Sequence, residues 1–132
     1  MAPRLGTARS AAQYPLATLR SLGVQMSFGS DWPVTSADPL QGLAVACTRQ
    51  NALGEPVGGW TPHERLSVTD TFASYTAGVA RQGYRRAGQL AVGQDADFTL
   101  LSADPRLLTD PREIAAIGVN GTWLAGQRVS PG

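Results

Sequence analysis

The sequence predicts an α/β chain with a helical front and a β-rich end, and three observations predict it. First, a helical apolar rhythm closed by a glycine runs into a short, nearly unbroken apolar stretch at 24–28. That is the αβ half of a βαβ unit. Second, helix-start signals recur at Asp38-Pro39, Thr61-Pro62 and Ser67. Third, from Ala87 onward the turn residues Gly88, Gly93 and Asp104-Pro105 separate strand-like runs. The change of texture near 86–88 divides the chain into 1–86 and 87–132.

Each element has a local reason. "YPLATLRSL" at 14–22 has apolar residues at helical spacing, Pro15 suits a first turn, and Gly23 suits the C′ position. The following run, 24–28, reads as a strand covered on both faces, as in a parallel sheet. In 38–50, "DPLQGLAVACTRQ", Asp38 is the N-cap and Pro39 the N1 residue. Leu40, Leu43, Ala44 and Cys47 form one apolar stripe. Residues 51–60 are a Gly/Pro-rich loop. In "TPHE", Thr61 and Glu64 have capping-box spacing, and Ser67 and Asp70 repeat the device. The helix after Ser67 carries Val68, Phe72 and Tyr75 along one side, with Thr71 and Ser74 elsewhere. A strand is expected at about 96–101. The tail "IAAIGVNGTWLAGQRVS" reads as a hairpin with two competing turns, Asn120-Gly121 and Ala125-Gly126. Local propensity favours Asn-Gly.

Composition narrows the function. Of the 132 residues, 16% are charged, against about 25% in ordinary domains. So low a charge density suggests a surface meant to be covered. A net charge of +1 leaves no footprint for nucleic acid. No apolar run is long enough to cross a membrane, and the N-terminal stretch lacks the apolar core of a secretory signal. The single cysteine, Cys47, fits a reducing, cytoplasmic setting and a small core residue.

Five segments, taken in order, resemble a known family: "FGSDWP", "DPL" with its helix, "ERLSVTDTFASYTAGVAR", "GQLAVGQDADFTLLSADP" and "TWLAGQRV". They are similar to the C-terminal part of the amidohydrolase superfamily. The branch they most resemble is amidohydrolase family 3, which contains N-substituted formamide deformylase-like enzymes. The likeness runs from about Tyr14 to Val129. Val92 departs from it, since the family usually has proline before that glycine. The resemblance implies the last strand and helices of a (β/α)₈ TIM-barrel metal hydrolase, then the C-terminal strands of its small β-sandwich. It is thus a chain incomplete as a domain, and the implied hairpin turn is Ala125-Gly126.

The resemblance also implies a chemistry, hydrolysis of non-peptide C–N bonds in a small amide-type substrate by metal-activated water. The implied cofactor is a divalent metal, zinc above all. Asp31 matches the family's aspartate at the end of the eighth barrel strand, a residue that touches the metal and takes a proton. Barrel active sites lie at the C-terminal ends of strands. The bland alternative makes Asp31 a turn or cap residue, since Ser-Asp before Trp-Pro is good turn chemistry. Trp32 is either a substrate-binding wall or plain core. A catalytic zinc needs three protein ligands, and the chain has no His-x-His and no lysine. Its one histidine, His63, falls in a helix-start loop away from any ligand position. Asp95, Asp97, Asp104 and Asp110 read as structural, and Arg81–Arg86 as a solvated helix end. The expectation is therefore a C-terminal fragment that binds no metal and is inactive alone. The alternatives are a subunit completed in trans by the missing barrel part, and a small non-enzymatic domain.

Overall fold

A computed structural model describes residues 2–131. Six short α-helices precede a three-stranded antiparallel sheet. The helices are α1 (Ala2–Leu5), α2 (Thr7–Ala11), α3 (Leu16–Ser21), α4 (Pro39–Thr48), α5 (Val68–Tyr75) and α6 (Ala77–Gln82). The strands are β1 (Phe98–Leu101), β2 (Val119–Leu124) and β3 (Gln127–Pro131), in the spatial order β1-β2-β3. Short 3-10 turns lie at Pro62–Glu64, Pro105–Leu107 and Pro111–Ala116. Mixed helix and a small antiparallel sheet is thus the architecture.

The core forms around α4. Asp38 accepts a hydrogen bond from the Leu40 amide (2.9 Å) and Pro39 occupies N1, as expected. Leu40, Leu43, Ala44 and Cys47 bury the predicted stripe. What covers that stripe is the surprise. Ile114 (0% exposed) and Ile117 come from the tail stretch expected to begin a hairpin. Instead Pro111–Ala116 coils into a 3-10 helix, started by the Asp110 carboxylate on the Arg112 amide (2.9 Å). With three residues per turn, residues three apart share a side, so Ile114 and Ile117 reach α4 together. The C-terminal carbonyls of α4 are met from the next loop. Leu66 N–H donates to Ala46 O (3.1 Å) and Arg65 Nε to Thr48 O (3.0 Å).

In α5 the exposure order is reversed from the expectation. Ser67 caps it, accepting from the Asp70 amide (3.0 Å) and donating to the Asp70 carboxylate (2.8 Å). Yet the fully buried residues are Thr71 (0%) and Ser74 (5%), while Val68, Phe72 and Tyr75 are only partly covered. The hydroxyls tolerate burial because each donates to the carbonyl four residues back, at 2.8 and 2.9 Å.

The Thr61–Glu64 capping box does not form. Thr61 sits in the left-handed region and makes no cap bond. Glu64 (5% exposed) turns away from its own segment and caps α3. It accepts from Thr18 N–H (2.9 Å) and Thr18 Oγ1 (2.5 Å). A distant carboxylate reaching a first-turn amide gives the same capping chemistry as a local one. These bonds hold the Glu64 carboxyl below its usual range. At its other end α3 closes as predicted. Gly23 takes φ 75°, its N–H meets Arg20 O, and Val24 N–H meets Leu19 O.

The sheet and its tether follow the resemblance more closely than local propensity. Ala125-Gly126 (φ 50° and 78°) makes the hairpin turn, and Asn120-Gly121 lies within β2. Gly121 is covered by the Trp123 ring, which a Cβ would approach to 2.8 Å. Trp123 stacks on Phe98 at 4.7 Å. Asp97 clamps the turn by accepting from Ala125 N–H (2.8 Å) and pairs with Arg85 (3.1 Å). Arg86 donates to Gly93 O (2.6 Å). Arg85 and Arg86 therefore tie the loop after α6 to the segment that leads into β1, and are not a merely solvated helix end. Asp104 and Asp110 start their turns as expected. Between sheet and helices lies an open apolar groove of about 690 Å³, walled by Phe72, Val79, Phe98, Trp123 and Val129 among others.

Candidate functional site

The stretch 24–28 is irregular backbone and not a strand: among the described residues it joins no sheet. This corrects the expectation of a buried parallel strand. The physical reason is that a helix closes its own hydrogen bonds whereas a strand depends on flanking chains. The stretch is instead laid on the helices. Phe28 N–H donates to Ser74 O (3.1 Å), the Phe28 and Tyr75 rings meet edge to face at 5.6 Å, and Ser27 Oγ donates to Gln82 Oε1. Gly78 permits this approach, because a Cβ there would stand 2.1 Å from Met26 O.

At the end of this stretch Asp31 takes φ 54°. A non-glycine residue held there costs on the order of 1 kcal/mol. Asp31 O accepts from Val34 N–H (2.8 Å) across a cis Trp32–Pro33 bond. The turn reading is therefore correct for the backbone of Asp31. It does not account for the side chain. An aspartate that builds a turn accepts from an amide two residues on, and here that residue is Pro33, which has no N–H. The neighbouring Ser30 does the local work, accepting from Trp32 N–H at 3.3 Å. Among the described residues nothing donates to the Asp31 carboxylate, which is exposed to solvent. Trp32 is 69% exposed and makes no ring contact, so it is not core here.

Beside this turn opens a cleft of about 540 Å³, lined by Ser27–Ser30, Tyr14, Tyr75, Val45 and Arg49 among others. Asp31 and Trp32 stand at its edge in sequence but not in its lining. The floor is α4. Its buried C-cap residue Arg49 escaped the sequence reading, because an arginine after an apolar helix is normally a solvated end. Arg49 is 8% exposed, with φ 61°. Its Nε donates to Trp60 O (3.1 Å) and its Nη2 to Thr61 Oγ1 (2.8 Å) and Gln13 O (3.4 Å). The guanidinium lies 5.0 Å above the Trp60 ring. Burial lowers its pKa, opposed by the nearby Glu64 charge.

No three metal-binding side chains come together among the described residues. A solvent-facing carboxylate without a second donor does not fit a divalent metal. His63 is exposed, 3.9 Å from Glu64, and Cys47 is buried beside Thr71, where desolvation raises its thiol pKa. Asp95 and Asp97 are engaged by Arg85. No helix among the described residues is long and apolar enough to cross a membrane.

The amidohydrolase family model matches residues 1–130, and the chain belongs to the amidohydrolase family. Among individual relatives, it is 34% identical over 128 residues to YtcJ of Bacillus subtilis (strain 168), which carries the provisional name of an amidohydrolase. That match covers 96% of this chain and 24% of YtcJ. It is also 28% identical over 134 residues to Protein LONG AFTER FAR-RED 3 of Arabidopsis thaliana, covering 99% of this chain and 22% of the relative. The chain thus spans about a quarter of the length of these relatives. No solved structure matches it.

Proposed function

We propose that this chain is the C-terminal portion of a metal-dependent barrel amidohydrolase that hydrolyses non-peptide C–N bonds, of the N-substituted formamide deformylase-like kind. It contributes Asp31 to the active site, with Trp32 beside the substrate, and is inactive alone. The observation that carries this reading is the Asp31 carboxylate, which follows the irregular stretch 24–30, is exposed, and has no hydrogen-bond partner among the described residues. Asp31 would touch the metal, and the other ligands would come from residues outside this stretch of polypeptide, since no three metal-binding side chains meet among the described residues.

Surface area supports the incompleteness. The accessible area is 8947 Å², whereas a compact 13.9 kDa protein exposes about 6,700 Å². The excess, roughly 2,000 Å², has the size of an obligate interface. It weighs against the reading as a small self-sufficient domain. The same surface would serve if the rest of the barrel were a separate chain, in which case a histidine-bearing polypeptide should co-purify.

The test compares the 132-residue chain with the reading frame extended upstream, each assayed on N-substituted formamides with added zinc. The chain alone should be inert. The extended protein should turn over, and Asp31→Asn should slow it by about 10²–10⁴-fold, the usual worth of a positioned proton acceptor. Turnover by the chain alone, or an undiminished Asp31→Asn enzyme, would overturn the proposal.

A further inference from the structure

We infer that the cleft beside Asp31 is an anion-reading subsite, and that its ligand is an organic carboxylate with an apolar body, held at the Arg49 end. The inference rests on the hydrolase reading, since it names a substrate feature for that site.

Arg49 carries a full charge on a residue only 8% exposed. Nε and Nη2 are spent on Trp60, Thr61 and Gln13, and these bonds fix the guanidinium plane. Nη1 has no hydrogen-bond partner among the described residues. It is not sealed either, because the unsatisfied buried side-chain atoms there comprise Ser10 Oγ alone. Arg49 lines the cleft, so a guanidinium held in plane by three bonds and with one nitrogen uncommitted borders it.

The internal counter-charges are accounted for. Glu64 raises the Arg49 pKa by its field, but its oxygens are bonded to Thr18 and form no ion pair with Arg49. Asp38, the other charged group of the lining, caps the opposite end of α4. Eleven residues of helix separate the two ends by about 16 Å. The cleft therefore has a cation at the Arg49 end and the capping Asp38 carboxylate at the other, with Val45, Phe28 and Tyr75 among its apolar lining. Tyr75 presses against Gly42, where a Cβ would stand 2.1 Å from its hydroxyl. At about 540 Å³ the cleft is the size of a small-molecule site. A carboxylate at Nη1 gains a charge-assisted bond that a neutral amide does not.

The experiment is calorimetric titration of the complete protein containing this chain with 4-phenylbutyrate and with its neutral amide, 4-phenylbutyramide. The acid should bind at least about tenfold more tightly, the scale of one charged hydrogen bond. Arg49→Gln should erase the difference. Because Arg49→Gln also removes bonds that position the 60–61 loop, Val45→Phe provides a second arm, filling the floor while leaving those bonds in place. It should weaken the acid by a similar factor. Equal binding of acid and amide by the unaltered protein, or full acid binding by Val45→Phe, would overturn the inference. Binding is read without turnover. An enzyme that hydrolyses formamides yet ignores the carboxylate would leave the hydrolase reading standing and remove this one.

Discussion

Helix α4 and the stretch 24–34 lie side by side and share a cleft, yet they are stabilised in opposite ways. The helix closes its own ladder, is capped by Asp38, and is covered along its stripe by Ile114 and Ile117. The stretch is stretched across α5 and α6 by a few bonds, and most of its length stays accessible. Helical order is local, whereas strand order needs partners. In this chain the helices keep their own hydrogen-bond ladders, and the stretch 24–34 lies beside them without one.

Four substitutions and an acid titration sharpen the contrast. Ile114→Ala opens a void against α4 and should cost about 2–5 kcal/mol in urea unfolding. A smaller loss would show that the core is not centred there. Gly78→Ala strikes the other region, since its methyl collides with Met26 O. About 1–3 kcal/mol is expected, with loss of the Phe28–Tyr75 ring contact visible in NMR spectra. An unchanged spectrum would mean that the stretch does not lie on α6. Ser67→Ala removes the α5 cap and should cost about 1 kcal/mol. Asp31→Asn should leave stability within about 0.5 kcal/mol, because the carboxylate supports nothing. A larger loss would return Asp31 to the turn reading.

The acid response comes from the capped helices. Hydrogen bonds from Thr18 hold Glu64 below its ordinary value, and bonds from Ser67 and Arg20 do the same for Asp70. Asp104 is brought to about 2 by Arg106. Groups with depressed folded-state values stabilise above their unfolded values of about 4. That stabilisation is lost as pH falls through the folded values. Thermal midpoints should be level from pH 7 to about 4 and fall toward pH 2. A flat profile would contradict the Glu64 and Asp70 bonds.

Legibility followed the same division. The caps at Asp38 and Ser67, the stripe on α4 and the glycine closing α3 were readable because each depends on residues within a turn or two. The hairpin turn at Ala125-Gly126 was not readable from propensity, because it is decided by Asp97, 28 residues away. Glu64 and Ile114 were missed for the same reason: their partners, Thr18 and the α4 stripe, are remote in sequence. The candidate aspartate could be named from its motif. That its side chain escapes turn duty depends on Ser30, which accepts from Trp32 N–H in its place, and on the tertiary surroundings, which supply the carboxylate no donor among the described residues. Arg49 left no sequence signal, since burial of a helix-end arginine depends on where the 60–61 loop packs.

The bond from Glu64 to Thr18 has a consequence in time. The carboxylate that completes the first turn of α3 is made 46 residues after the amide it serves. At about 5–20 residues per second of synthesis, α3 emerges from the ribosome and waits roughly 2–9 seconds for its cap. During that interval the stretch that ends in Asp31 is already out, following a helix that has nothing yet to hold its beginning.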